Sequence, residues 1–158
     1  MDIDYSFMKS SDLVEVNRIE SQSNPFPWSK ENFQDCLNSG YYSLVQRQNK
    51  EIIGFSIQSF TLDESHLLNI GIDESKRRKG YGTDLMEKII LTCKTMNSKR
   101  LNLEVRVSNF SAISFYKEYG FKQVGMRKNY YRIKNGKEDA LLMSKKITTW
   151  RDIFSTGF

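Results

Sequence analysis

The sequence has little of what marks a metalloprotein, a disulfide-stabilised protein or a membrane protein. Among 158 residues there are two cysteines and one histidine. Cys36 and Cys93 have no metal-ligand spacing, so we expect no metal site and two reduced thiols of a cytoplasmic protein. No apolar run approaches the roughly 20 residues of a membrane-spanning helix. The acidic N-terminus, Met1 to Asp4, differs from the basic start of a signal peptide.

What is present is typical of a soluble globular domain. The chain is long enough to bury a core, and its hydrophobic fraction of 39% is ordinary. The net charge of +5 is unevenly distributed: residues 1–75 have a net charge of −7, whereas residues 76–158 have +12. The basic half indicates an anionic ligand, which could be a nucleotide-like cofactor, RNA or an acidic protein. An uneven surface charge without a function is the alternative.

The periodicity of apolar residues predicts a mixed α/β domain over residues 1–147, followed by a tail at 148–158 without clear periodicity. The order is strand, two helices, three strands, helix, strand, helix and two strands. The predicted strands are 5–9, 41–46, 52–60, 66–72, 101–107, 121–126 and 140–145. The later helices are predicted at 81–96 and 109–119. Residues 129–131 are expected in the loop before the last strand, next to a turn at Asn135-Gly136.

One stretch, Ser75 to Thr83, lies where a predicted strand is followed by the long helix. It contains four consecutive basic residues and two glycines. A helix N-terminus presents backbone N–H groups and the positive end of a dipole, and Gly80 and Gly82 lack the Cβ atoms that would keep an anion away. The stretch is therefore predicted to bind an anion, most simply a pyrophosphate.

The common phosphate-binding loops do not fit this stretch. The P-loop pattern is absent, and Leu85 occupies the position of the third glycine of the dinucleotide fingerprint. The catalytic His-Arg-Asp segment of protein kinases is absent as well. What remains is Arg-x-x-Gly-x-Gly at Arg77, Gly80 and Gly82, which resembles the acetyl-CoA pyrophosphate motif of the GNAT superfamily of N-acetyltransferases.

Further stretches resemble one group within that superfamily, the bacterial ribosomal-protein-alanine N-acetyltransferases. They are residues 24–29, 101–109, 112–116 with 119–121, and 127–131 with 138–140. The resemblance extends over roughly Tyr5 to Ile147. It implies the GNAT fold, a single mixed twisted sheet of six to seven strands flanked by about four helices. It also implies transfer of an acetyl group from acetyl-CoA to the N-terminal α-amino group, an alanine, of a protein such as ribosomal protein S18.

The resemblance assigns roles to individual residues. Glu104 would be the general base, and Tyr116 the general acid that protonates the departing CoA thiolate. Pro27 and Trp28 would form one wall of the peptide groove, and Tyr130 and Tyr131 the other. The cofactor contacts would come from a strand end, the basic turn and one helix start, namely Ile70, Gly71, Ile72, Arg77, Arg78, Lys79, Gly80, Tyr81, Gly82, Thr83 and Asn109.

Each assignment has a structural alternative. Glu104 could pair with Arg106 or a lysine, Tyr116 could pack in the core, and Asn109 could only cap its helix. The basic side chains of the turn could form a solvated face. The single histidine, His66, is interpreted as a strand residue at a sheet surface.

Two other functions remain open from the sequence. The same fold could act on a lysine, a polyamine or another small amine. A basic, non-catalytic protein that associates with RNA or the ribosome is the other possibility, but binding alone would not require Glu104 and Tyr116. We expect a protein N-terminus as partner, no direct contact with nucleic acid or membrane, a monomer or weak dimer, and a cytoplasmic location.

Overall fold

The computed structural model describes residues 2–155, which form seven β-strands and five α-helices. Short 3-10 turns precede the first helix at Ser10–Asp12 and follow the fourth strand at Glu74–Lys76. The elements in chain order are β1 (Ile3–Phe7), α1 (Leu13–Ser23), α2 (Lys30–Asn38), β2 (Tyr42–Gln48), β3 (Glu51–Phe60), β4 (Glu64–Ile72), α3 (Tyr81–Thr95), β5 (Arg100–Arg106), α4 (Phe110–Glu118), β6 (Lys122–Ile133), β7 (Gly136–Lys146) and α5 (Trp150–Ser155).

The strands form one mixed sheet in the order β1-β2-β3-β4-β5-β7-β6. The pairs β1/β2, β2/β3, β5/β7 and β6/β7 are antiparallel, whereas Glu64–Leu67 of β4 runs parallel to Arg100–Leu103 of β5. The predicted α/β fold with a mixed sheet is therefore confirmed. The chain divides into two compact units. The first contains the residues up to Ser59 with Leu68–Ile89, and the second contains Phe60–Leu67 with the chain from Ile90 onward.

In the first unit, α1 and α2 pack against the sheet through fully buried side chains. The rings of Phe33 on α2 and Phe55 on β3 meet edge to face, with centroids 5.4 Å apart. The start of α2 is capped by two side chains: Asn32 N–H donates to Ser29 Oγ at 3.1 Å, and Ser29 N–H donates to Asn32 Oδ1 at 2.9 Å. The backbone N–H groups of Ser29 and Asn32 both have hydrogen-bond acceptors, which fixes where α2 begins.

In the second unit, β5 alternates between two faces. Leu101, Leu103 and Val105 are buried, while Asn102, Glu104 and Arg106 lie half-buried on the opposite face. The sequence predicted this alternation because successive side chains of a strand point to opposite sides. Polar side chains that share one face of a strand are positioned to act together.

Two parts of the second unit differ from the prediction. Residues 129–131 lie within β6, not in a loop, because β6 and β7 form a long hairpin closed at Ile133 and Gly136. The tail contains α5, whose start is capped by Thr149 and Asp152: Asp152 N–H donates to Thr149 Oγ1 at 3.3 Å. The spacing Thr-x-x-Asp is typical of a helix N-terminus, so the start of α5 could have been predicted from the sequence. Residues 156–158 of the predicted tail lie outside the described residues.

Between residues 2 and 155, no helix is both long and apolar enough to cross a membrane.

Candidate active site

The basic turn of the first unit is anchored at its start by Asp73, immediately after β4. The Asp73 N–H donates to the carbonyl of Ile53 at 2.8 Å, and its carboxylate accepts from Ser75 N–H at 3.0 Å and from Arg18 Nη2 at 2.9 Å. Burial alone would raise the pKa of Asp73, but the hydrogen bonds from Arg18 and Ser75 outweigh it and hold the pKa at about 2. The carboxylate is therefore charged throughout the physiological range.

We expect Asp73→Asn to lower the free energy of unfolding by about 1–2 kcal/mol at pH 7, since it leaves Arg18 without its buried partner. A depressed native pKa stabilises the fold above the unfolded pKa of about 4, and this contribution disappears as the pH falls towards 2. The variant and the wild type should therefore converge between pH 4 and 2 in urea titrations. Asp63→Asn, at an exposed pair with Lys99, is the matched control and should change stability by less than about 0.5 kcal/mol. A constant difference down to pH 2 would contradict the assignment.

The middle of the turn leaves its backbone open. Arg78 has φ +60° and Gly80 has φ +89°, and a Cβ added at Gly80 would meet no atom within 4 Å. At Gly82 the nearest atom to such a Cβ would be 3.9 Å away. Left-handed residues in a turn bring successive N–H groups to one side, which suits an anion. The residues present therefore fit a phosphate group.

The side chains of the turn are mostly directed to solvent. Arg77, Arg78 and Lys79 are exposed, and Arg77 Nε donates to the carbonyl of Ile72 at 3.2 Å. Tyr81 differs, because it is buried at 8% exposure. Of the predicted cofactor contacts, Tyr81 can thus contribute only its backbone.

The strand end Ile70–Ile72 leads directly into this turn. Ile70 and Ile72 are half-buried. A Cβ at Gly71 would lie 2.6 Å from the ring of Phe55, so glycine is required here by packing within the unit. This reason for Gly71 is independent of any ligand.

The predicted peptide contact at Pro27 and Trp28 is fixed by a buried carboxylate. Glu20, which is 3% exposed, accepts from Trp28 N–H and from Asn69 Nδ2, both at 3.0 Å. The Trp28 carbonyl accepts from Asn17 at 2.7 Å, and Pro27 itself is exposed. Sequence reasoning missed Glu20, because its burial depends on contacts with Trp28 and Asn69 that only folding provides.

In the second unit, Glu104 lies at the centre of a polar cluster. Its side chain is 12% exposed, Oε1 is 3.4 Å from Arg127 Nε, and burial, together with the Glu104 charge, raises the pKa of the Tyr130 hydroxyl. Arg106 pairs with Glu138 at 3.1 Å. The ion pair observed for Glu104 is with Arg127, a partner that the sequence did not indicate.

A bulge in β6 places Tyr130 and Tyr131 together. Arg127 is opposite Ala140 and Tyr131 is opposite Glu138, so three residues of β6 face only Asp139 of β7. Within the bulge Asn129 has φ +53°, and its N–H donates to Asp139 Oδ1 at 2.9 Å. Consecutive residues of a regular strand point to opposite faces, and a bulge re-aims them.

The rings of Tyr130 and Tyr131 contact each other, and each ring also contacts an arginine. Their centroids are 4.9 Å apart in an edge-to-face arrangement. The Arg106 guanidinium lies 4.5 Å from the Tyr131 centroid, and that of Arg127 lies 5.2 Å from the Tyr130 centroid. Such cation–π contacts hold planar groups in fixed orientations. The structure thus brings Glu104, Tyr130 and Tyr131 into one cluster.

The pKa values of Tyr130, Tyr131 and His66, which lie around Glu104, are shifted in the direction that favours their neutral forms. Burial raises the pKa of Tyr131, and the charge of Glu104 raises it further. Burial also raises the pKa of Tyr130, together with the charge of Glu104. The pKa of His66 is lowered by burial, which the charge of Glu104 only partly opposes. Around neutral pH the carboxylate therefore has hydroxyl donors as neighbours.

Tyr116 lies on α4 with its side chain in the core of the second unit. Its ring is 5.8 Å from that of Phe115 and 5.5 Å from that of Phe121, and burial raises the pKa of its hydroxyl to about 12. Asn109 caps the same helix, since its Oδ1 accepts from Ala112 N–H at 3.2 Å. Both structural alternatives are therefore present, and neither prevents a functional role.

Residues 13–121 match the acetyltransferase (GNAT) family, and the chain therefore belongs to that family. This confirms the family predicted from the turn and the order of the elements.

Two curated relatives are similar over nearly the whole chain. The ribosomal protein bS18-alanine N-acetyltransferase of Escherichia coli K12 is 35% identical over 143 residues, which is 90% of this chain and 97% of that protein. The ribosomal protein bS18-alanine N-acetyltransferase of Haemophilus influenzae is 36% identical over 140 residues, which is 88% of this chain and 95% of that protein. A crystal structure of the ribosomal-protein-S18-alanine N-acetyltransferase from Escherichia coli has a TM-score of 0.85 at 34% identity, covering 92% of this chain and 94% of that one.

Proposed function

We propose that this chain transfers the acetyl group of acetyl-CoA to the N-terminal α-amino group of a protein, with the N-terminal alanine of ribosomal protein S18 as the preferred acceptor. The observation that carries the proposal is Glu104, a mostly buried carboxylate that lies with Tyr130 in a chain of the acetyltransferase family. The activity of the relatives described above supports the choice of acceptor. Residues 1–147 would form the acetyltransferase domain, acting as a monomer or weak dimer in the cytoplasm.

The turn would hold the pyrophosphate of acetyl-CoA. Its backbone N–H groups from Arg78 to Thr83 would contact the phosphates, and Arg77 would add positive charge. The backbone of Ile70–Ile72 would pair with the extended pantetheine arm, as a strand pairs with an added peptide. Asn109 would contribute a further polar contact to that arm.

Glu104 would accept the proton of the incoming ammonium, directly or through a water molecule. An α-amino group has a pKa of about 7.7–8.0, whereas that of lysine is about 10.4. A carboxylate is sufficient for the first, because a fraction of the amine is already neutral at physiological pH. Deprotonating lysine would cost about 3 kcal/mol more. The single carboxylate base therefore favours an N-terminus over a lysine.

Attack of the neutral amine forms the C–N bond, and collapse of the tetrahedral intermediate breaks the C–S bond. The products are the acetylated N-terminus, the free thiol of CoA and one proton released to solvent. Tyr116 would assist the departing sulfur. With a hydroxyl pKa of about 12 against about 8.5 for a thiol, complete proton transfer is uphill by about 5 kcal/mol. The phenol therefore acts first as a hydrogen-bond donor to the developing thiolate.

Two pairs of residues would contact the acceptor peptide, Pro27 with Trp28 and Tyr130 with Tyr131. Trp28 is fixed at both its N–H and its carbonyl, and the tyrosine rings are fixed by their arginines. Rigid aromatic side chains lose little conformational entropy when they bind a peptide. They are suited to enclosing the small side chain of an N-terminal alanine.

The proposal is tested with a synthetic peptide that has a free N-terminal alanine and one internal lysine. The purified protein and acetyl-CoA should acetylate the α-amine and leave the lysine unmodified, as located by tandem mass spectrometry. The same peptide with a blocked N-terminus is the control and should remain unmodified. Acetylation of the lysine alone would establish the alternative acceptor, and no acetylation of peptides or polyamines would favour a binding protein.

A further inference from the structure

The first turn of α3 is connected to β2 by buried polar side chains. Gln46 is fully buried, and its Nε2 donates to the Tyr81 carbonyl at 3.1 Å. Gln48, which is 6% exposed, donates from Nε2 to the Tyr81 hydroxyl at 2.6 Å. Gln46 Nε2 also donates to the Tyr5 hydroxyl on β1 at 3.1 Å. Both the backbone and the side chain of Tyr81 are thereby held by one strand.

The burial of these two amide side chains lowers the free energy of unfolding unless all their polar atoms have partners. Burying an amide requires partners for all its polar atoms, and Gln46 Oε1 has none among the residues that the structure describes. A Cβ at Gly54 would lie 2.7 Å from that oxygen, so the neighbouring strand must also leave space for it. Apolar side chains would fill the same volume without an unpaired acceptor. The amides are therefore not explained by stability alone.

The position of Tyr81 indicates the role of the Gln46 and Gln48 amides. Tyr81 is the first residue of α3 and follows Gly80, the left-handed residue whose backbone is open. At the other end of the turn, Asp73 is held by Arg18 and Ser75. The residues between Asp73 and Tyr81 are thus anchored at both ends, and Gly80 just before Tyr81 has open space around its backbone.

We infer that Gln46 and Gln48 are positioning residues that hold Tyr81, and with it the turn, in the conformation that binds the pyrophosphate of acetyl-CoA. The inference rests on the proposed function, in which the turn contacts that group. A turn that is already ordered before binding loses less conformational entropy when the ligand arrives. The amides then contribute to cofactor affinity and leave the acetyl-transfer step unchanged.

The test compares Tyr81→Phe and Gln48→Leu with the wild type by calorimetric titration of acetyl-CoA and by steady-state kinetics. Both variants remove the buried hydrogen bond between Gln48 and the Tyr81 hydroxyl, so we expect the Kd and KM for acetyl-CoA to rise about 5–10-fold, with kcat at saturation unchanged within about twofold. Tyr5→Phe is the matched control. It removes the other hydroxyl that Gln46 contacts but leaves both contacts to Tyr81, and its Kd should equal that of the wild type.

Hydrogen exchange of the free protein gives a readout that needs no ligand. Tyr81→Phe should accelerate exchange of the amides at residues 78–84 and leave the second half of α3 unchanged. If wild type binds acetyl-CoA but the variants keep its Kd and exchange rates, or lose only thermal stability, the inference is overturned and the proposed function stands. If wild type fails to bind acetyl-CoA, the proposed function is overturned, and the assigned role of the amides with it.

Discussion

Replacing Glu104 with glutamine is expected to lower kcat about 10²–10⁴-fold and to leave the Kd for acetyl-CoA within about twofold. Glutamine has nearly the same shape as glutamate and can still accept a hydrogen bond from Arg127, so the cluster around it should persist. What it cannot do is accept the proton of the α-ammonium group. Release of the free thiol with an N-terminal alanine peptide measures kcat, and calorimetry measures the Kd.

The pH dependence separates a base from a structural residue. Above pH 8 an increasing share of the α-amine is neutral, so the loss caused by Glu104→Gln should shrink as the pH rises towards 9.5. Glu118→Gln, on the exposed surface of α4, is the matched control and should retain wild-type kcat. A kcat within threefold of wild type at pH 7, or a deficit that is independent of pH, would remove Glu104 from the role of base.

Tyr116→Phe is expected to lower kcat about 10²-fold, since it removes the donor to the departing sulfur. Phenylalanine retains the ring contacts with Phe115 and Phe121, so the thermal midpoint should change by only a few degrees. The Kd for acetyl-CoA should stay within about twofold of the wild type. Loss of turnover without loss of stability or affinity is the combination that a core residue does not produce.

The raised pKa of Tyr116 adds a second expectation. Because its hydroxyl has a pKa of about 12, the phenol remains protonated to well above pH 10, and wild-type kcat should show no decline from its ionisation between pH 8 and 10. Tyr119→Phe, on the same helix, is the matched control and should have wild-type kcat. If Tyr116→Phe also retains full kcat, Tyr116 is a packing residue only.

Much of the fold could be predicted because it depends on local patterns. The alternation of β5 and the cap at Ser29 and Asn32 are properties of short segments, and both are observed. The two exceptions have different causes. The spacing of Thr149 and Asp152 was a readable cap for α5, whereas the length of β6 depends on its pairing with β7, to which the polar residues 127–132 give no local clue.

The candidate site was predictable as a set of residue types but not as an arrangement. Glu104 was identified, yet its partner Arg127 lies 23 positions away and is brought to it by folding. Tyr130 and Tyr131 were identified as a pair, but adjacent residues of a regular strand diverge, and only the bulge at Asn129 turns them to each other. Glu20 and the amides of Gln46 and Gln48 were missed, because a buried polar group is visible only once its surroundings are known.

The basic turn illustrates the difference between what the sequence determined and what only the tertiary structure decided. By itself the sequence determined that a strand, a basic turn with Gly80 and Gly82, and a long helix follow one another, because local backbone conformation depends on neighbouring residues. Only the tertiary structure decided that Asp73 is held by Arg18 and Tyr81 by Gln46 and Gln48. Those contacts join residues 33–55 positions apart, and a hydrogen bond requires its donor and acceptor to lie within about 3 Å, which only the packed fold achieves.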